Sequence, residues 1–70
     1  MDFIQIKIIR IGERVIEVTH QPDVTVQEVL DAADIATANT ALRFNGREVT
    51  LGTNLNTNGD LMVSKAIKGA

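Results

Sequence analysis

Residues 24–35, with the sequence VTVQEVLDAADI, carry the clearest local signal in the chain. Thr25 and Glu28 form a T-x-x-E capping box. In this motif the threonine hydroxyl accepts from the backbone N–H of the glutamate, and the glutamate side chain reaches back to the threonine N–H. The box satisfies backbone donors that a helix start otherwise leaves without partners. We therefore predict a helix over residues 26–33 or 26–34.

The apolar residues behind this cap recur at helical spacing, so they predict one stripe that faces a core. The stripe consists of Val26, Val29, Leu30 and Ala33. The acidic residues Glu28, Asp31 and Asp34 lie off the stripe. We interpret them as a solvated face rather than a ligand-binding one.

Two strands are predicted before the helix. In residues 3–11 three isoleucines alternate with polar residues, which is typical of a strand with one buried face. The adjacent pair Ile8 and Ile9 breaks the alternation, and either a bulge or a face covered on both sides would explain it. A turn signal at Gly12-Glu13 followed by alternation over residues 15–20 predicts a hairpin.

A second hairpin is predicted after the helix. Asn45-Gly46 separates residues 41–44 from residues 47–49. Asn-Gly is the strongest short hairpin signal, because a type I′ turn needs positive φ at both central positions. Residues 35–41 before it, built mainly of Ala, Thr and Asn, are predicted to be a connector.

The remaining part of the chain is predicted to be a loop and a final strand. Residues 50–60 are rich in Asn, Thr and Gly, and we expect an ordered surface loop that Leu51 and Leu55 hold down. Residues 61–67 are predicted to be the last strand.

The element order is therefore ββαβββ, which indicates an α+β fold with one helix packed on one face of a sheet. Residues 1–70 are expected to form a single domain. The predicted core consists of Ile4, Ile6, Ile8, Ile16, Val18, Val26, Val29, Leu30, Leu42, Leu55, Leu61 and Val63.

Size and charge exclude several classes of function. A chain of 7.6 kDa hides only ~60% of its surface on folding, which is too little for a self-contained enzyme with a deep cleft. With 7 basic and 9 acidic residues the net charge is −2, which argues against nonspecific nucleic-acid binding. The chain has no cysteine, and no apolar run predicts a membrane span, so we expect a cytoplasmic protein without disulfides.

These motifs, in their order and spacing, resemble the ubiquitin-like β-grasp proteins, and most closely their sulfur-carrier branch. That branch contains the small subunit of molybdopterin synthase and the thiamine-pathway sulfur carrier. Residues 25–35 resemble its helix, residues 44–49 (FNGREV) its hairpin, and residues 55–63 its L-x-x-x-G-D turn into the last strand. The resemblance implies one mixed sheet of four to five strands, with the first and last strands adjacent and parallel.

The resemblance also implies chemistry at the end of the chain. In that branch a terminal glycine carboxylate is adenylated by an activating enzyme, and then converted to a thiocarboxylate or transferred to an amine. Gly69 and Ala70 stand where the branch has Gly-Gly, so one glycine is replaced. A narrow tunnel to the reacting atom admits glycine most easily, because glycine has no Cβ.

The replacement favours a small non-catalytic protein-binding module over a carrier. The alternative is a sulfur carrier or protein modifier that an adenylating enzyme activates at the tail, Gly69 and Ala70. In a third possibility the same tail enters the active site of a larger enzyme subunit. Each of these functions needs a protein partner, and none needs nucleic acid or a membrane.

Basic residues form a second candidate site. Lys65 and Lys68 are the only ionisable side chains in the last ten residues, and Arg43 and Arg47 flank the Asn45-Gly46 turn. These four would guide the tail into an acidic groove on a partner if the last strand pairs beside that hairpin. The alternative is a solvated strand edge that discourages aggregation.

The sequence offers no other chemical site. His20 is the single histidine, and no nucleophile motif accompanies it. The helix carboxylates have no histidine at ligand spacing, and the glycines match no phosphate-binding loop. We therefore expect no catalytic residue, no metal site and no cofactor.

Overall fold

The computed structural model describes residues 2–65, and for Lys65 it describes the backbone alone. The strands are β1 (Ile4–Arg10), β2 (Ile16–His20), β3 (Val24–Thr25), β4 (Thr40–Phe44), β5 (Arg47–Val49), β6 (Asn54–Leu55) and β7 (Gly59–Lys65), and the helix is α1 (Val26–Ala32). The last strand thus begins two residues earlier than predicted, and the predicted strand residues 66–67 lie outside the described part.

Five strands form one mixed sheet in the order β2-β1-β7-β4-β5. The central pair, β1 and β7, is parallel, while the other neighbours are antiparallel. This arrangement confirms the α+β fold and the predicted adjacency of the first and last strands. A parallel pair needs a long connection, and here the whole intervening chain, including α1, provides it.

One core lies between α1 and one face of the sheet. Ile6, Ile8 and Leu61 from the central strands are fully buried, as are Val26, Val29 and Leu30 from the helix. Ile16 and Val18, predicted as core residues, are only half-buried, because β2 is an edge strand. The structure adds three core residues that the sequence analysis missed: Val24, Ile35 and Phe44.

The start of α1 is capped as predicted. The Thr25 hydroxyl accepts from the backbone N–H of Glu28 at 3.2 Å, and the Glu28 carboxylate accepts from the Thr25 N–H at 3.3 Å. The next donors are used as well: Val26 donates its N–H to the Thr53 carbonyl and Gln27 to the Leu51 carbonyl, both at 3.0 Å. The first turn of the helix is therefore fixed to the loop that follows β5.

The helix ends earlier than predicted, at Ala32, and a Schellman motif closes it. Asp34 has a positive φ of 58°. Its N–H donates to the Asp31 carbonyl at 3.0 Å, and the N–H of Ile35 donates to the Leu30 carbonyl at 2.9 Å. The motif turns Ile35 into the core, so the predicted connector begins with a buried anchor.

Part of the predicted loop over residues 50–60 is a strand. β6 pairs antiparallel with β3 in a separate two-stranded sheet. Two further bonds hold this sheet together: the Asp23 N–H donates to the Leu55 carbonyl at 2.8 Å, and the Asn54 side chain donates to the Asp23 carbonyl at 2.9 Å. Leu55 is buried and Leu51 half-buried, as their predicted anchoring role requires.

β1 contains no bulge. Its register with β2 is continuous from Ile4 to Ile8, and its register with β7 is continuous from Ile6 to Arg10. Ile9 therefore lies on the sheet face opposite α1, where it is half-buried. The adjacent isoleucines occur because each face of β1 carries apolar residues.

The capping box generates the first testable prediction. Thr25→Ala should lower the free energy of unfolding by about 1 kcal/mol, because the N–H of Glu28 loses its acceptor. Thr25→Ser retains the hydroxyl and should lie within about 0.5 kcal/mol of the original protein. Urea unfolding measures both variants. An equal loss for the two would show that the hydroxyl does not contribute.

Candidate functional site

The predicted tail lies outside the described residues. Lys68, Gly69 and Ala70 all fall there, so their roles stay predictions. The backbone of Lys65 pairs with Thr40 at the end of β7, which places the last described residue beside the start of β4.

The structure does not bring the two predicted arginines together. Arg43 pairs with Glu48 across the β4–β5 hairpin, while Arg47 pairs with the buried Phe44. Directly paired residues of an antiparallel ladder share a face, and successive residues alternate between faces. Arg47 is therefore on the helix side of the sheet and Arg43 on the other side, so the two do not form one basic surface.

The sheet face opposite α1, called the open face here, is not covered by any described residue. On β1 the side chains of Gln5 and Lys7 are exposed between buried isoleucines. On β4, Ala41 and Arg43 are exposed in the same way. Because α1 covers only one side, the open face is available to another molecule.

Three apolar side chains meet on the open face, and we call them the Met62 patch: Ile9, Val15 and Met62. Ile9 and Met62 are direct neighbours in the parallel β1–β7 register. Val15, immediately before β2, lines the same shallow depression as Ile9. Val15 is 56% exposed and Met62 44% exposed, so both could lose substantial area to a partner. Ile11, in the turn after β1, is also exposed, at 86%.

Charged residues border the patch on two sides. Lys7 pairs with Glu17 on β2 and with Asp60 on β7, so charges of alternating sign cross three neighbouring strands. On the other side Arg43 pairs directly with Met62. An apolar centre with a polar rim is the usual anatomy of a protein-binding surface.

Two asparagines fix the strand that carries Met62. The side-chain oxygen of Asn45 accepts from the backbone N–H of Asp60 at 3.0 Å, and its amide donates to the Asn58 carbonyl at 3.4 Å. The side chain of Asn58 in turn accepts from the backbone N–H of Gln5 at 2.8 Å. The first residues of β7 are thus tied to both neighbouring strands.

Gly59 lies directly under the Asn45 amide. A Cβ at this position would collide with that amide, whereas the space around Gly52 is open. The glycine in the G-D turn is therefore required by the close approach of a side chain to the backbone. The hairpin turn at Asn45-Gly46 and the turn at Gly59-Asp60, which the sequence analysis treated separately, form one structural unit.

The sequence analysis did not identify the Met62 patch, although it contained one signal for it. The break in alternation at Ile8 and Ile9 is the point where β1 contributes to both faces. Met62 and Val15 become its neighbours only through strand pairing. Alternation along a single strand does not reveal that pairing.

Residues 2–65 contain neither a candidate metal site nor a membrane-spanning helix. No group of three or more His, Asp or Glu side chains is placed to hold a metal ion in this part of the chain. The single described helix is too short to cross a membrane.

Known proteins resemble this chain in fold but not in sequence. No protein-family model matches this sequence, and no curated protein matches it. Solved structures do match. A de novo designed protein based on ubiquitin superimposes with a TM-score of 0.70 at 22% identity, covering 97% of this chain and 96% of the designed one.

Two further solved structures are similar as well. Ubiquitin of Caldiarchaeum subterraneum gives a TM-score of 0.69 at 19% identity, covering 99% of this chain and all of that one. A chain of a pParkin-pUb-UbcH7 complex gives 0.65 at 16% identity, covering 91% of this chain and 23% of that one. At these identities the similarity establishes the fold.

The protein therefore has the ubiquitin-like β-grasp fold. The predicted fold is confirmed over almost the whole chain. The similarity does not select the sulfur-carrier branch among ubiquitin-like proteins, so that part of the resemblance stays a prediction.

The Asn45–Gly59 contact generates the second prediction. Gly59→Ala should lower the free energy of unfolding by about 1–2 kcal/mol, because the displaced amide loses its two hydrogen bonds. Gly52→Ala, the matched control in open space, should be close to neutral. Thermal or urea unfolding measures both.

The same substitution in a variant that lacks the Asn45 amide tests whether that amide causes the loss of stability. Asn45→Gly removes the amide and tolerates the positive φ of 52°. Gly59→Ala should cost clearly less in that background than in the original protein. The same cost in both backgrounds would show that the amide is not what excludes a larger residue.

Proposed function

We propose that the protein acts by binding another protein through its open face, with the Met62 patch at the centre of the contact. The observation that carries the proposal is the exposure of Met62 and Val15 beside half-buried Ile9 on adjoining strands. In this role the protein is a non-catalytic module that acts only by binding its partner.

The surface fits this role in shape and stiffness. Every strand behind the patch is hydrogen-bonded to a neighbour, and Asn45 and Asn58 fix the start of β7. A partner therefore meets a backbone that is already ordered, which lowers the entropy cost of association. The thioether of Met62 adapts to different apolar contours, as methionine does at many binding surfaces.

The rim restricts which partners fit. Arg43 adjoins Met62 on one side, and Lys7 stands between Glu17 and Asp60 on the other. A partner must bring an apolar anchor to the patch and complementary charges to both sides, since a like charge opposite any of these groups is unfavourable. Because the rim carries charges of both signs, it would orient a bound partner more than it would attract that partner from a distance.

The third prediction tests the patch directly. Met62→Glu should weaken partner binding roughly 10-fold or more, because burying a methionine contributes about 1.5–3 kcal/mol and the new charge must be desolvated. Gln27→Glu, on the exposed side of α1, introduces the same charge away from the open face. Affinity capture from cells, followed by quantitative mass spectrometry, compares the two variants with the original chain.

The expected result is a set of captured proteins that Gln27→Glu retains and Met62→Glu loses. Circular dichroism should show that both variants are folded. Gln27→Glu lies in the first turn of α1, so it should unfold at the same or a slightly higher denaturant concentration than the original protein. If no captured protein depends on Met62, the open face is not the binding surface.

A second candidate function is the carrier role, which one feature of the fold favours. β7 runs parallel to β1, so the chain leaves Lys65 at the end of the sheet where Ile9 and Met62 lie. A partner seated on the patch would be about three strand residues, or roughly 10 Å, from the point where the described chain ends. The carboxylate of Ala70 is the group that would react, and Gly69 is the residue before it.

The fourth prediction addresses that chemistry. The protein is incubated with ATP, an adenylating enzyme and a sulfur donor, and its intact mass is measured. We expect no replacement of oxygen by sulfur with Ala70 in place, because the alanine methyl adjoins the reacting carboxylate. Ala70→Gly restores the glycine pair and is the comparison variant. A clean mass shift with Ala70 in place would establish the carrier function.

A further inference from the structure

The outer edge of β2 carries backbone groups without partners among the described residues. β2 lies at one end of the sheet and pairs only with β1. The direction of the peptide groups in β2 can be deduced from Gln5 on β1. The N–H of Gln5 donates to Asn58, which lies immediately before β7. Backbone groups alternate in direction along a strand, so Gln5 and Lys7 direct theirs toward β7.

The residues opposite them on β2 therefore direct their groups outward. In an antiparallel ladder, hydrogen-bonded residue pairs alternate with non-hydrogen-bonded pairs. Both residues of a non-hydrogen-bonded pair direct their N–H and C=O groups away from each other. Gln5 is opposite Thr19 and Lys7 is opposite Glu17. The N–H and C=O groups of Glu17 and Thr19 thus line the free edge of β2.

This edge lacks the features that usually prevent strand pairing. The opposite edge, β5, has only three residues, and both Arg47 and Glu48 are exposed on it. β2 has five residues, IEVTH, with no proline, no lysine and no interruption of its register. Edges that remain monomeric are commonly short, charged or bulged. β5 is short and carries two adjacent charged residues, whereas β2 is longer and carries one acidic residue, Glu17.

We propose that β2 pairs antiparallel with β2 of a second copy of this chain, with Val18 at the two-fold axis. The outward groups belong to residues 17 and 19, so three registers satisfy them. One sets Glu17 against Glu17 of the second copy, which places like charges directly opposite. Another sets Thr19 against Thr19 and makes a single bonded residue pair within β2.

The register centred on Val18 avoids both problems. Each Glu17 faces Thr19 of the second copy, and each such pair exchanges two backbone hydrogen bonds. On the helix side, half-buried Val18 meets Val18, and half-buried Ile16 meets His20. The β2 strand is thus complementary to β2 of a second copy of this chain.

The pairing joins two five-stranded sheets into one continuous sheet. Paired residues share a face, so the open faces of both copies lie on the same side. The dimer then presents two Met62 patches in one direction. A partner with two binding sites would gain avidity from this arrangement. The dimer itself does not use Met62, so its test is independent of the proposed function.

The decisive experiment is disulfide trapping, since the chain has no cysteine of its own. In the proposed register Val18→Cys sets two sulfurs at a non-hydrogen-bonded pair, with Cα atoms about 4.5 Å apart, which suits a disulfide. Thr19→Cys is the matched control. It lies two residues out of register with its counterpart, roughly 8 Å away, which is too far.

We expect V18C to form a covalent dimer much faster than T19C in a glutathione redox buffer, as measured by non-reducing electrophoresis and intact mass. Thr19 is the more exposed residue, so simple accessibility predicts the reverse order. Equal rates, or faster dimerisation of T19C, would overturn the proposed register.

Sedimentation equilibrium tests the noncovalent dimer. As the protein concentration rises above the dimer Kd, the average mass should approach twice the monomer value of 7.6 kDa. Thr19→Pro removes the outward N–H without removing a β1 bond, and it should weaken dimerisation roughly 10-fold or more, because two symmetry-related bonds are lost. Thr19→Val retains the N–H and should dimerise like the original protein.

Circular dichroism establishes that T19P remains folded. If T19P is unfolded, the trapping comparison decides the proposal. A monomer at millimolar concentration, or a folded T19P that dimerises as strongly as T19V, would overturn it.

Discussion

The parallel alignment of β1 with β7 determines where every exposed side chain of the sheet lies. It places Ile9 beside Met62 and Lys7 beside Asp60, although more than fifty residues separate each pair along the chain. With β7 in the centre, β2 is left at one edge of the sheet. The alignment also places Lys65, where β7 ends, three residues beyond Met62.

Local contacts hold this long-range alignment in place. The Asn45 side chain accepts from the Asp60 N–H of β7, and the Asn58 side chain, just before β7, accepts from the Gln5 N–H of β1. Gly59 leaves the room that the Asn45 amide needs. These groups are exposed, so each hydrogen bond contributes only modestly to stability. Together they fix the register, and a shift by one residue would move Met62 to the helix side.

The small size of the domain accounts for the unequal use of its two sheet faces. A single seven-residue helix covers one face, and its residues Val26, Val29 and Leu30 are fully buried. Residues 2–65 supply no second layer for the other face. The open face and the β2 edge are therefore available for association, and both proposals follow from that availability.

The elements that could be predicted from the sequence are those whose signals are local. The Thr25–Glu28 capping box, the Asn45-Gly46 hairpin and the alternation in β1 each depend on residues a few positions apart, so each was predictable. The Schellman motif was missed because Asp34 takes the position where glycine is the usual signal. The β3–β6 pair, the Met62 patch and the free edge of β2 depend on which strands become neighbours. Only the tertiary structure decided that, because strand pairing over long separations leaves no periodic trace in the sequence.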